Sequence, residues 1–136
     1  MMKCVMVIDQ NLPLGLIANT AAVLAISLGK KVDGIVGEDV VDRDGTVHKG
    51  ITRATVPLLK GDSSLIRSLR SRLLSMPENS LFFVDFCDIA QQSKRYEDYT
   101  ANIALTSECD LTYLGIAIYG EDREVNKLTG NIGLLR

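Results

Sequence analysis

Tryptophan is absent from this chain, histidine occurs once and proline three times, and aromatic residues make up only 5% of it. A single histidine, His48, excludes zinc sites built on paired imidazoles. The cysteines Cys4, Cys87 and Cys109 are odd in number, far apart and outside any CxxC spacing. They predict neither a disulfide framework nor a zinc ribbon, but reduced thiols in a cytoplasmic protein. An excess of positive charge is missing too: 15 Lys and Arg stand against 17 Asp and Glu, a balance unlike that of a general nucleic-acid binder. The longest apolar stretch, residues 14–28, is interrupted by Asn19, Thr20 and Ser27 and is too short to span a bilayer, so no membrane partner is expected. Acidic Asp9 ends the apolar start too soon for a signal peptide. One more absence bears on chemistry. No Lys, Arg, His or Ser lies in residues 10–18, where a strand feeds a helix and α/β proteins often bind ligands.

What is present fits one domain over residues 1–136, with 46% hydrophobic and 24% charged residues in ordinary globular proportion. Residues 3–8 read as a strand buried on both faces. An Ala-rich helix follows over residues 16–28, with Leu16, Ala22, Val23 and Ile26 as its buried stripe and Gly29 as its stop. A second strand is predicted over 31–36. A polar hairpin insertion follows at 38–50, turning on Asp44-Gly45 between Val41 and Val47. Residues 52–59 read as another strand, in which Pro57 points to an edge position or a bulge. The next helix starts at Asp62 or Ser63, buries Leu65, Ile66, Leu69, Leu73 and Leu74, and presents Arg67, Arg70 and Arg72 on a solvated face. A short strand at 81–85, a helix over 89–105 interrupted near Ser93, a strand at 111–119 and a helix at 121–128 complete an alternating α/β order.

Candidate chemistry is sparse. Cys87 and His48 are the one thiol–imidazole combination, but Cys87 follows an apolar strand between Asp85 and Asp88, which favours a buried structural thiol, and His48 falls on the hairpin surface. Glu38, Asp39, Asp42 and Asp44 invite a calcium reading. An EF-hand loop, however, would begin at Val40 and close at Ile51, neither of which supplies an oxygen side chain. No metal is expected, and no cofactor. Residues 115–120 carry glycines at both ends but lie within a strand, not at the opening of a helix, so they are no phosphate loop. Asp85 is the carboxylate of interest: it ends a strand, and Tyr96, Tyr99 and Thr100 form a polar aromatic stripe on the following helix.

Two stretches carry a family resemblance. The first runs from Val5-Met6-Val7-Ile8 through Asn11-Leu12-Pro13-Leu14-Gly15 to Ile17-Ala18. The second comprises Leu114-Gly115-Ile116-Ala117 and Val125-Asn126-Lys127-Leu128-Thr129-Gly130-Asn131-Ile132. Both look like the opening and closing motifs of the peptidyl-tRNA hydrolase II superfamily, and within it the sequence resembles the family called domain of unknown function 2000. The resemblance implies a three-layer α/β/α sandwich around a mixed sheet. It also implies a catalytic Gly-Lys pair ahead of the Ala-rich helix, yet here Gly15 is followed by Leu16-Ile17. Of an Asp-Ala-Gly motif, Asp85-Phe86-Cys87 keeps the aspartate.

Three readings follow. In the first, a pocket formed by residues 9–19, Asp85 and the 96–100 stripe binds an unknown small molecule, with Asn11, Gly15, Asn19, Thr20, Tyr96, Tyr99 and Thr100 as its contacts. In the second, a hydrolase of acyl esters uses Asp85 to orient water; peptidyl-tRNA itself is not favoured, given the acidic balance. An arginine from the 62–76 helix, brought beside Asp85, would supply the missing positive charge. In the third, the chain is an interaction protein, a homodimer formed through a sheet edge or the C-terminal tail.

Overall fold

The computed structural model describes residues 1–136. β1 (Met2–Asp9) lies inside a four-stranded sheet, paired in parallel with β4 (Leu58–Gly61) and antiparallel with β6 (Tyr113–Glu121). β5 (Phe82–Cys87) joins the far side of β6, giving the order β4-β1-β6-β5. Residues 4–8 are each at most 1% exposed, which explains the unbroken apolar run: helices cover both faces, so neither face of the strand meets water.

One face packs on α1 (Leu14–Lys31). Cys4, Met6 and Ile8 of β1 meet Leu24 and Leu28 there. Burial pushes the Cys4 thiol up to about 11, because a thiolate would lose its hydration. The opposite face carries Val5 and Val7 against Ile66, Leu69 and Leu73 of α2 (Ser63–Leu74) and Val125 and Leu128 of α5 (Asp122–Thr129). At about 25 cal/mol per Å², burial of these two apolar layers is the main stabilising contribution. Asp62 caps α2, its carboxylate accepting from the Leu65 N–H at 2.8 Å. The mixed α/β architecture is thus as the alternation predicted.

Several local expectations are corrected. α1 does not stop at Gly29 but runs to Lys31, where Lys30 and Lys31 complement the negative helix end. The strand expected over 31–36 is replaced by a turn through Gly34 (φ 78°) and a single bridge between Val36 and Thr52. The buried stripe of α1 is Thr20, Leu24 and Leu28, whereas Ala22 is exposed and Ile26 is 75% exposed. Gly115 sets this rotation: a Cβ there would lie 2.6 Å from Thr20 Cγ2, so its absence lets the helix settle with Thr20 against β6. On α2, Leu74 is exposed rather than buried.

The hairpin forms as expected. β2 (Val40–Val41) and β3 (Val47–His48) flank Gly45 at φ 84°. Asp42 holds the turn by accepting from the Asp44 and Thr46 N–H groups and pairing with His48 Nε2 at 2.8 Å. β4 is shorter than the predicted 52–59 strand and starts after Pro57. Its outer edge is covered by the tail: the Lys60 N–H donates to the Gly133 carbonyl and the Leu135 N–H to the Leu58 carbonyl. The interrupted helix resolves into α3 (Asp88–Gln92) and α4 (Tyr96–Ala104).

Candidate functional site

β5 is an edge strand, and its side chains alternate between the two faces: Val84 and Phe86 pack on the α1 side, Cys87 on the α2 side. A cleft of about 310 Å³ opens along this strand, lined by Val84, Asp85 and Phe86. Val23 and Ser27 of α1 form one wall; Ser93, Lys94 and Arg95, with Tyr96 and Tyr99 of α4, form the other. The tyrosine rings meet edge to face, 5.6 Å between centroids at 84°. Tyr99 holds its proton more tightly than an ordinary tyrosine, first through burial and then through the negative fields of Cys87 and Asp85.

Asp85 does not cap α3. Its Oδ2 accepts from Arg70 Nε at 3.0 Å, with both side chains about a quarter exposed. Asp88 takes the local role, its Oδ1 accepting from the Ile89 and Thr112 N–H groups. Behind Asp85 lies a charged network on the ring of Tyr113, which is fully buried. The guanidinium carbons of Arg67 and Arg70 stand 4.9 and 5.6 Å from its centroid. Arg67 donates to both carboxylate oxygens of Glu108 at 2.8 Å and to the Leu111 carbonyl. The Tyr113 hydroxyl donates to Glu108 Oε1 at 3.0 Å. Burial, then the bond to Glu108, pushes the Tyr113 phenol up to about 12. Burial by itself would lower the Arg70 pKa, but hydrogen bonding and attraction to Asp85 outweigh it and leave the pKa raised.

The solvated arginine face expected of this helix is therefore wrong for two of its three members. Arg67 and Arg70 turn onto β6 because Tyr113, Glu108 and Asp85 offer partners that no local pattern announces. The composite pocket is corrected as well. Asp85, Tyr96 and Tyr99 share the cleft, but Asn11, Gly15, Asn19 and Thr100 do not line it. Asn11 is held in the turn after β1 by its N–H bond to Asp9 Oδ1. Gly15 and Asn19 lie on the exposed side of α1. Thr20 is fully buried and donates back to the Leu16 carbonyl at 2.7 Å, a structural role. The Thr100 hydroxyl donates to the Tyr96 carbonyl. The cleft residues missed from the sequence include Val23 and Ser27 of α1, the β5 neighbours Val84 and Phe86, Ala90 of α3, and Ser93, Lys94 and Arg95; only the spacing of Val23 and Ser27, one helical turn apart, signals a shared face.

Cys87 is buried and His48 stands on the exposed hairpin, so they form no catalytic pair. No group of three or more His, Cys, Asp or Glu side chains has the geometry to hold a metal ion. α1, at 18 residues and mean hydropathy 1.2, is long and apolar enough to pass as a membrane span by composition, but here it lies along the sheet.

Among solved structures, a protein of unknown function from Agrobacterium tumefaciens strain C58 shares the fold. The TM-score is 0.85 at 17% identity, over 98% of this chain and 96% of that one. No curated protein matches the chain. Residues 2–136 match the family described as protein of unknown function DUF2000, and the chain belongs to that family.

Proposed function

We propose that this chain is a small-ligand-binding protein whose site is the cleft along β5, on a fold of the peptidyl-tRNA hydrolase II type. Helices on both faces of a mixed sheet support the fold reading. The observation that carries the function is the convergence, in one cleft, of Asp85, two tyrosines, two serines and two cationic residues on an apolar floor. A few polar groups on an apolar wall are the usual composition of a ligand site. A thermal-shift screen with nucleotides, amino acids and short peptides tests this, together with native mass spectrometry of freshly purified protein. A stabilising or co-purifying ligand whose effect is lost in Tyr99→Ala supports the reading; an empty screen and a bare mass spectrum count against it.

A second reading is favoured by one contact. Arg70 places a positive charge beside Asp85, where the resemblance led one to expect a lysine nearby. An acyl-ester hydrolase would use Asp85 to orient water and a cation to stabilise the developing oxyanion. Turnover of an acyl-ester substrate that disappears in Asp85→Asn is its test. Transfer RNA is a poor candidate partner, since Arg67 and Arg70 are engaged with carboxylates and not free for phosphates.

A further inference from the structure

We propose that the outer edge of β5 receives an extended peptide as an added strand, with an acidic side chain of the peptide turned toward Lys94. This rests on the cleft being a ligand site and names the class of ligand.

The backbone register carries the argument. In β1, Met6 N–H donates to the Pro57 carbonyl and Gln10 N–H to the Gly61 carbonyl, so the even-numbered residues address β4 and the odd ones β6. Val5 and Val7 stand opposite Ile118 and Ile116, which therefore turn their backbone groups toward β1. Gly115, Ala117 and Tyr119 must then turn theirs toward β5, where they stand opposite Phe86, Val84 and Phe82. What remains at the outer edge is the N–H and C=O of Phe83 and of Asp85. No strand lies beyond β5 and none of the turn, loop or side-chain hydrogen bonds reaches these four groups. A row of this kind is a template for strand addition.

The occupant follows from the surroundings. The edge is recessed, with Val23 and Ser27 on the α1 side of the sheet and Tyr99 on the other. A single extended strand needs less room between such walls than the edge of a second sheet, which would bring its own helices into the same space. The opposite edge shows the habit within this molecule, since the segment around Gly133–Leu135 is bonded to β4 in just this way. Charge selects the side chain. Asp85 is paired with Arg70 and Arg95 with Asp98, which leaves Lys94 as the cleft cation without a carboxylate partner.

The test is a titration of the isotope-labelled full chain with the blocked pentapeptide acetyl-Ala-Val-Glu-Val-Ala-amide, followed by amide NMR and hydrogen exchange. The expected result is that exchange at Phe83 and Asp85 slows at least about tenfold. Replacing the peptide glutamate by lysine, or Lys94→Ala in the protein, should weaken binding about two- to fivefold, the effect of one exposed charge pair. The peptide N-methylated at alternate residues should lose binding. Equal binding of N-methylated and parent peptides overturns the proposal, as does absence of any protection. So does concentration-dependent protection of the two amides in the free protein, which would assign the edge to a second copy. If a non-peptide from the ligand screen shifts Tyr96 and Tyr99 while the pentapeptide does nothing, strand addition fails and the small-ligand reading survives. If neither perturbs the cleft, both fail.

Discussion

Arg70 reaches from α2 to β5 and donates through Nε to Asp85 Oδ2 at 3.0 Å, so the one carboxylate on the cleft floor is tied to the network over Tyr113. A pair about a quarter exposed lies between the surface and buried regimes. Arg70→Met should therefore cost about 1–3 kcal/mol, mostly from leaving Asp85 without its partner. The double-mutant cycle with Asp85→Asn, measured by urea unfolding, should return a coupling on the order of 1 kcal/mol. A coupling indistinguishable from zero would make the contact incidental.

Gly115→Ala should destabilise the fold by about 1–3 kcal/mol, through overpacking. The added methyl would lie 2.6 Å from Thr20 Cγ2 and 3.1 Å from Leu24 Cδ1. Thr20→Ser removes the nearer atom and keeps the hydroxyl that bonds the Leu16 carbonyl. The Gly115→Ala/Thr20→Ser double variant should regain part of the loss in denaturant midpoint. If it does not, Thr20 is not what sets the rotation of α1.

Alkali should unfold this protein by way of its tyrosines. Tyr113 titrates near 10 in an unfolded chain and is pushed up to about 12 when folded. Between those values the folded state holds a proton that the unfolded state has released, so stability is full below pH 10 and falls as pH rises toward 12. Tyr99 shifts in the same direction. Urea midpoints measured across this window should decline, and Tyr113→Phe should flatten the decline. A midpoint independent of pH there would contradict the buried phenol.

Thiol accessibility gives a simple check on the core. Cys109 is exposed while Cys4 and Cys87 are buried. A thiol reagent should label one cysteine promptly in the folded protein and three in denaturant. Rapid labelling of Cys87 in buffer would mean that the β5 end opens readily.

The hairpin should be dispensable for folding. β2 and β3 form their own two-stranded sheet, and Val40, Val41 and Val47 are each about 60% exposed. Below it the same register continues down the two arms of the hairpin, with the Gly37 N–H on the Ile51 carbonyl and Val36 bridging Thr52, so the stem closes on itself without residues 39–49. Replacing residues 39–49 by a short glycine-containing turn should change the unfolding free energy by less than about 1 kcal/mol. A collapse of the whole domain would show that the exposed valines have a packing partner.

The elements legible in the sequence were those whose signal is local. Asp62 announces α2, Asp44-Gly45 announces the hairpin turn, and the run through Val5, Met6 and Val7 announces a doubly covered strand. What failed depended on distant partners. α1 is apolar on most of its surface, so periodicity offered two stripes, and the choice falls to Gly115 at the other end of the chain. Residues 31–36 read like a strand, yet the tail has occupied the outer edge of β4 and they keep only the Val36–Thr52 bridge. At the site, Asp85 and the tyrosines stand out because a strand is expected to end at Asp85; β5 in fact runs on to Cys87, and Asp85 lies within its ladder opposite Ile116. Arg70 reads as solvated because nothing around it in sequence reveals Tyr113 or Glu108.

The register of β1 also bears on how the chain reaches this state. Met6 stands opposite Ala117 and Val7 opposite Ile116, so this water-averse segment finds its antiparallel neighbour only after the hairpin, β4, α2, β5 and α4 that lie between them in sequence. Contacts of such long sequence separation slow folding and prolong exposure of adhesive intermediates. Recovery of this chain from denaturant should therefore fall as its concentration rises, at an unchanged equilibrium stability.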